Sequence, residues 1–144
     1  MNEAGPFVTA AVFCERVLRE IDGGISAIRM IDGIELSTVG PEPPGGPTFS
    51  CHFLVAIRWA AVGSYTLKLQ LLNPSGERAP EIRLATALKE PTGGAVWDIQ
   101  LTAQAREEGE YWMEVATEET GPLMRTPLRV TKKQPQSSET PPST

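Results

Sequence analysis

Cys51 and His52 are the first residues in this chain that invite chemistry, because a thiol beside an imidazole is the nucleophile–base pair of covalent catalysis. Their surroundings argue against it. Cys51, Phe53, Val55, Ile57 and Trp59 alternate with His52, Leu54, Ala56 and Arg58, and a period of two predicts a strand. Neighbouring strand residues point to opposite faces, so Cys51 is expected in the core and His52 outside it, out of reach of each other. Reactive thiols also need an electropositive, accessible setting, which an apolar strand face does not supply. One His and two Cys separated by much of the chain have no metal-ligand spacing. The sequence therefore predicts no catalytic residue, no metal ligand and no cofactor.

Two further groups raise the same question. Glu107, Glu108, Glu110, Glu114, Glu118 and Glu119 concentrate carboxylates, but calcium loops space their oxygen ligands around a glycine turn, and this run does not. Charge at turns and outward strand positions is ordinarily solvated surface that blocks edge-to-edge pairing. The glycine-rich stretches at 22–24, 45–46 and 93–94 lead toward strands. They present no helix N-terminus to a phosphate, so no nucleotide site is predicted.

Trp112 stands apart. Parity places it opposite Tyr111 and Met113, on a face with Glu114 and Ala116, and Arg125 and Arg129 are expected to flank it from the next strand. Either another element covers this indole or it anchors a contact surface, since tryptophan is over-represented at binding hot spots. Trp112, Glu114, Arg125 and Arg129 are the candidate interaction face.

The elements that position these residues are strands. The stretch 106–130 reads as a hairpin whose first strand begins Gly109-x-Tyr111 after an acidic turn. That is the form of a tyrosine corner, in which the hydroxyl ties the strand start to an upstream backbone group. Upstream, Val8, Ala10, Val12 and Cys14 are expected on one face of a strand and Phe7, Thr9, Ala11 and Phe13 on the other, both largely apolar, as in a strand covered on two sides. Residues 15–20 fit strand or a helical turn. Asp22-Gly23-Gly24 makes a turn, and Ile25–Leu36 resumes as one strand, completing an N-terminal hairpin. GPEPPGGP at 40–47 is a connector; it holds P-x-x-P spacings but no flanking basic residue, so a polyproline ligand is not the preferred reading. Tyr65–Leu71, Glu81–Leu88 and Val96–Ala103 follow as strands, separated by turns at Asn73–Gly76 and Pro91–Gly94. Trp97, Ile99 and Leu101 are expected inward. The total is about eight short strands at sandwich spacing. The expected domain is 1–131, with a disordered Ser/Thr/Pro-rich tail at 132–144.

Composition sets limits on partners. A chain of 144 residues makes one domain, and its 40% hydrophobic and 22% charged content is that of a folded soluble protein rather than a disordered one. A net charge of −5 argues against nucleic acid and anionic membrane surfaces, which call for a basic face. Phe53–Val62, interrupted by Arg58, falls short of the ~20 residues a spanning helix needs. The N-terminus lacks a basic signal region, so reduced cysteines and a cytoplasmic setting are expected.

From Thr48 onward the strand order, the NPSGE turn and the GEYW strand resemble a bacterial immunoglobulin-like domain. The position two residues after the corner tyrosine, where such domains often carry Cys, holds Met113. Over residues 8–131, VTAAVFCERVLRE–DGG–ISAIRMIDGIEL with GEYWMEV and PLRV is similar to an uncharacterised family of small bacterial proteins, a domain of unknown function. The resemblance implies an all-β immunoglobulin-like antiparallel sandwich with an added N-terminal hairpin and assigns no functional residue. The expected function is a non-enzymatic protein-interaction or assembly module, its partner another protein or a second copy. The alternative is a small-ligand or carbohydrate-binding sandwich that uses the aromatic face around Trp112.

Overall fold

A computed structural model of the chain describes residues 6–37, 44–59, 62–89 and 94–133. The first half of the proline-rich connector, residues 91–93 of the following turn and residues 134–144 lie outside the described residues; the tail expected from 132 does not begin there, because Lys132 and Lys133 belong to the last strand. Nine strands are described: β1 Phe7–Arg19, β2 Ile25–Ile31, β3 Gly33–Ser37, β4 Thr48–Arg58, β5 Gly63–Leu72, β6 Ile82–Leu88, β7 Gly94–Gln104, β8 Gly109–Thr117 and β9 Gly121–Lys133. They form a four-stranded sheet, β2-β1-β4-β7, and a five-stranded sheet, β3-β9-β8-β5-β6. The chain is an all-β, immunoglobulin-like sandwich, and its ladders are antiparallel except for β3 against β9.

Period-two patterning explains the layer between the sheets. From β4, Phe49, Cys51, Phe53, Val55 and Ile57 all point inward and are buried, and Trp59 follows just past the strand end. From the other sheet come Leu67, Leu69, Met113, Val115, Leu128 and Val130. Each large aliphatic or aromatic side chain removed from water contributes roughly 1.5–3 kcal/mol, so the alternation itself drives the two sheets together. Aromatic pairs knit the layer: Phe13 against Phe53 at 4.9 Å, Phe49 edge-on to Tyr111 at 5.9 Å, and Trp59 stacked on Tyr65 at 4.5 Å. Tyr111 forms the corner expected of it, its hydroxyl donating to the Glu107 carbonyl at 2.8 Å.

The N-terminal hairpin is built into the sandwich. β1 pairs with β2 from Phe13↔Ile31 to Arg19↔Ile25 and with β4 on its other side. The segment left open between strand and helical turn is strand through Arg19. The turn closes where the Asp22 carboxylate accepts from the Gly24 amide at 2.9 Å.

Two local expectations change. Residues 25–36, read as one strand, divide at Asp32, because β2 stays with β1 while β3 crosses to pair in parallel with β9. The Arg129 amide donates to the Asp32 carbonyl at 3.0 Å, which fixes that crossing point. The facing of β1 also differs from strict alternation. Its register against β4 shifts between Val8 and Ala10, so Val8, Ala11 and Phe13 face the core together. A bulge adds one residue and reverses parity, which no period-two reading of the sequence anticipates.

Candidate interaction faces

Each sheet buries one face in the shared core and turns the other outward. On the five-stranded sheet, the register places Glu110 opposite Arg129, Trp112 opposite Pro127 and Glu114 opposite Arg125. All four residues picked out in the sequence therefore share one face, with the indole between the two arginines. Trp112 is half-buried, and its neighbour on β5 is Leu72, itself buried.

The ionic row beside Trp112 is already satisfied within the chain. The Glu114 carboxylate accepts from Arg78 Nη1 at 2.9 Å on one oxygen, and from Arg125 Nε and Nη2 at 3.1 and 2.9 Å on the other. Arg78 also donates to Gln70 Oε1 at 3.0 Å. The Arg78 hydrogen bond, reinforced by Arg125, holds the Glu114 carboxyl below its ordinary range against the opposing effect of its own burial. Arg78 reaches this row because the Asn73–Pro80 segment folds back along β5, where the Ala79 amide donates to the Leu71 carbonyl at 2.8 Å. This face is a cross-linked ionic surface around one aromatic, with two arginines sharing one carboxylate.

The four-stranded sheet presents a different outer face. Its rows, read across β1, β4 and β7, are Ala10–Ala56–Val96, Val12–Leu54–Asp98 and Cys14–His52–Gln100, the last extended to Met30 on β2. Met30 and Val96 are 67% and 41% exposed. His52 Nδ1 lies 2.7 Å from the Asp98 carboxylate.

Cys51 and His52 do point apart, but the register brings Cys14 beside His52 on the outer face, a juxtaposition sequence reasoning missed. Only the pairing of strands 38 positions apart creates it, so no local signal announces it. The resulting Cys–His–Asp grouping does not activate the thiol. Cys14 is wholly buried beneath its neighbours, and burial first, then the negative charge of Asp98, pushes its pKa upward. Burial likewise raises Cys51 to about 11. Both thiols stay protonated, which is the opposite of what a nucleophile or metal ligand requires. Among the described residues no His, Cys, Asp and Glu side chains group in a way that could hold a metal ion. No described helix is long and apolar enough to cross a membrane.

The strand edges are the remaining surfaces. β2 and β7 bound the four-stranded sheet, β3 and β6 the five-stranded one. β3 is short, at 5 residues, β6 carries the charge of Arg83, and β2 carries a left-handed residue, Arg29, at φ 55°. Short, basic or kinked edges resist pairing with another chain. β7 has none of these features. It runs 11 residues, stays in unbroken register with β4 throughout and contains no Pro, Lys or Arg. Its core-facing Ala95, Trp97, Ile99 and Ala103 are only half-buried, whereas Phe53, Val55 and Ile57 on adjacent β4 are 0, 0 and 1% exposed. The sandwich is therefore incompletely closed along this side. Below the lower end of β7, Leu71, Ala79, Pro80, Ala103 and Arg106 line an open cavity of about 380 Å³ between the sheets.

Neither a known protein family nor a curated protein matches the sequence. Among solved structures, the C-terminal domain of wzt superposes with a TM-score of 0.58 at 10% identity, covering 92% of this chain and 77% of that one. That likeness establishes the sandwich fold. A β-glucosidase from Listeria innocua gives a TM-score of 0.47 at 14% identity, with 72% of this chain spanning 15% of the enzyme. The CARDB domain of a Pyrococcus furiosus protein, in complex with di-metal ions, gives 0.43 at 11% identity over 90% of each chain.

Proposed function

We propose that this chain is a non-enzymatic protein-interaction module that engages its partner by extending the four-stranded sheet at β7. The observation that carries the reading is the state of that strand: long, regular, without Pro, Lys or Arg, and with Trp97 and Ile99 left half-exposed although they face the core. An added strand would satisfy the outward backbone groups of β7 and cover those two side chains, which is how sheet edges recognise extended segments. The buried, protonated thiols are inert and suit a reducing cytoplasm. The acidic chain takes a protein partner rather than nucleic acid or membrane. The similarity to an uncharacterised family of small bacterial proteins belongs to the same reading.

The test is affinity capture from the native host with three immobilised forms: wild type, a Val96→Lys/Thr102→Lys double variant and Trp112→Ala. The reading expects a specific protein that wild type and Trp112→Ala retain and the lysine variant loses. Loss in Trp112→Ala alone would move the contact to the five-stranded face. A melting shift with a sugar or other small ligand, and no captured protein, would favour the ligand-binding alternative.

A further inference from the structure

We infer that the segment received at the β7 edge is the C-terminal end of a partner chain, its last side chain apolar and seated in the cavity below β7, its terminal carboxylate bound by Arg106. The inference rests on the proposed sheet-extension reading and adds the chemistry of the partner. Edge and cavity are continuous. The lining of the cavity includes Ala103, which faces the core, and Thr102 and Gln104, which face outward. A cavity that touches both faces of β7 wraps around its free edge, because β4 occupies the other edge along the whole strand. Its opposite wall is Ala79 and Pro80, fixed where the Ala79 amide donates to the Leu71 carbonyl. A segment laid along β7 toward Gln104 therefore runs into a recess of about 380 Å³ bounded by Leu71, Ala79, Pro80 and Ala103, room enough for an apolar side chain and the group beyond it.

Charge decides what ends there. The charged residues lining the cavity are Glu77, Arg78 and Arg106. Arg78 is held by Glu114 and Gln70, and the Glu77 carboxylate accepts from Asn73 Nδ2 at 3.3 Å. Among the described residues Arg106 has neither a hydrogen bond nor an ion pair for its side chain. It stands two residues past the end of β7, in the path of an added strand. An internal Asp or Glu on such a strand would point out of one face, whereas a terminal carboxylate continues along the strand axis toward Arg106, whose planar fork matches it. Capture of a chain end in this way is a recurring mode of peptide recognition. Direction follows, since a segment that ends at Gln104 runs parallel to β7. With its last residue beside Ala103, the residues two, four and six earlier lie beside Leu101, Ile99 and Trp97. Alternate apolar residues would then cover the half-exposed isoleucine and indole.

The experiment offers the immobilised full chain a pool of synthetic seven-residue peptides, with Val at the first, third and fifth positions, Thr between them and every residue type at the last. The pool is made once as free acids and once as amides, and retained peptides are read by mass spectrometry. Wild type should retain free acids ending in a bulky apolar residue about three- to tenfold better than the matching amides. Arg106→Gln, at an exposed position that leaves the core untouched, should abolish that margin. Equal retention of acids and amides, a margin that Arg106→Gln leaves unchanged, indifference to the last residue, or no retained peptide would each overturn the inference. Equal retention that disappears in the Val96→Lys/Thr102→Lys form overturns carboxylate capture alone and leaves sheet extension standing. Peptides held as well by the lysine form as by wild type would overturn both.

Discussion

Replacing Tyr111 with Phe removes one oxygen from the corner that opens β8 and leaves the ring. The hydroxyl donates to the Glu107 carbonyl at 2.8 Å, and the ring, 3% exposed and edge-on to Phe49, keeps its packing in the variant. A neutral hydrogen bond of this kind contributes about 0.5–1.5 kcal/mol net, and a half-buried carbonyl left without its donor adds to the loss. The expected destabilisation at pH 7 is therefore about 1–2 kcal/mol, or roughly 3–6 °C in Tm for a chain of this size. Alkaline pH supplies an internal control. Burial raises the Tyr111 pKa above its ordinary 10.0, so the folded chain holds that proton more tightly than the unfolded chain does. The associated stability is fully present below about pH 10 and is lost as pH rises through the folded-state value. Phe has no such proton to lose. Urea unfolding at pH 7 and pH 10.5 should show a gap between wild type and Tyr111→Phe that narrows at the higher pH. A variant as stable as wild type at pH 7, or a gap of equal size at both pH values, would refute the corner's role.

Three further outcomes follow from the geometry. Glu114→Gln should cost about 1 kcal/mol at pH 7, discounted because its arginine partners are 45 and 51% exposed. Since the folded carboxyl has a lowered pKa, that stabilisation is present above about pH 4.5 and disappears as pH falls through the folded-state value; a difference that persists unchanged at pH 3 in urea titrations would contradict it. Gly46→Ala should cost about 2–4 kcal/mol, because Gly46 sits at φ +91° and an added methyl would run into the Ala105 carbonyl oxygen. Gly76→Ala, at the same φ but with open space around it, should cost only about 1 kcal/mol, and equal Tm losses for the two would refute the packing argument. Both thiols should react with a disulfide reagent at pH 8 only as fast as the chain opens, so rapid labelling of native protein would contradict their burial.

Period two and turn chemistry made most of this fold legible. Gly109-x-Tyr111 announced the corner, and the alternation from Cys51 to Trp59 marked the core face of β4. What escaped is non-local. Val8–Ala10 carries a bulge that only pairing with β4 reveals, and Arg29 adopts a left-handed backbone that nothing in its neighbours signals. Asp32 divides two strands because β9 offers its edge to β3, a fact of topology rather than of local sequence. The candidate face around Trp112 was readable because hairpin partners are close in sequence, which set Trp112 between Arg125 and Arg129. Its internal ion pairing was not, since Arg78 reaches Glu114 from another strand's return loop. The openness of β7 was equally hidden, because a sequence shows which residues face inward but not whether a further strand stands beside them.

Backbone amide exchange, followed residue by residue on the isolated chain, tests the β7 edge most directly. Alternate amides of Gly94–Gln104 should exchange freely, while the β7 amides directed at β4 stay protected. Equal protection of every β7 amide in the isolated chain would contradict an open edge awaiting a second strand.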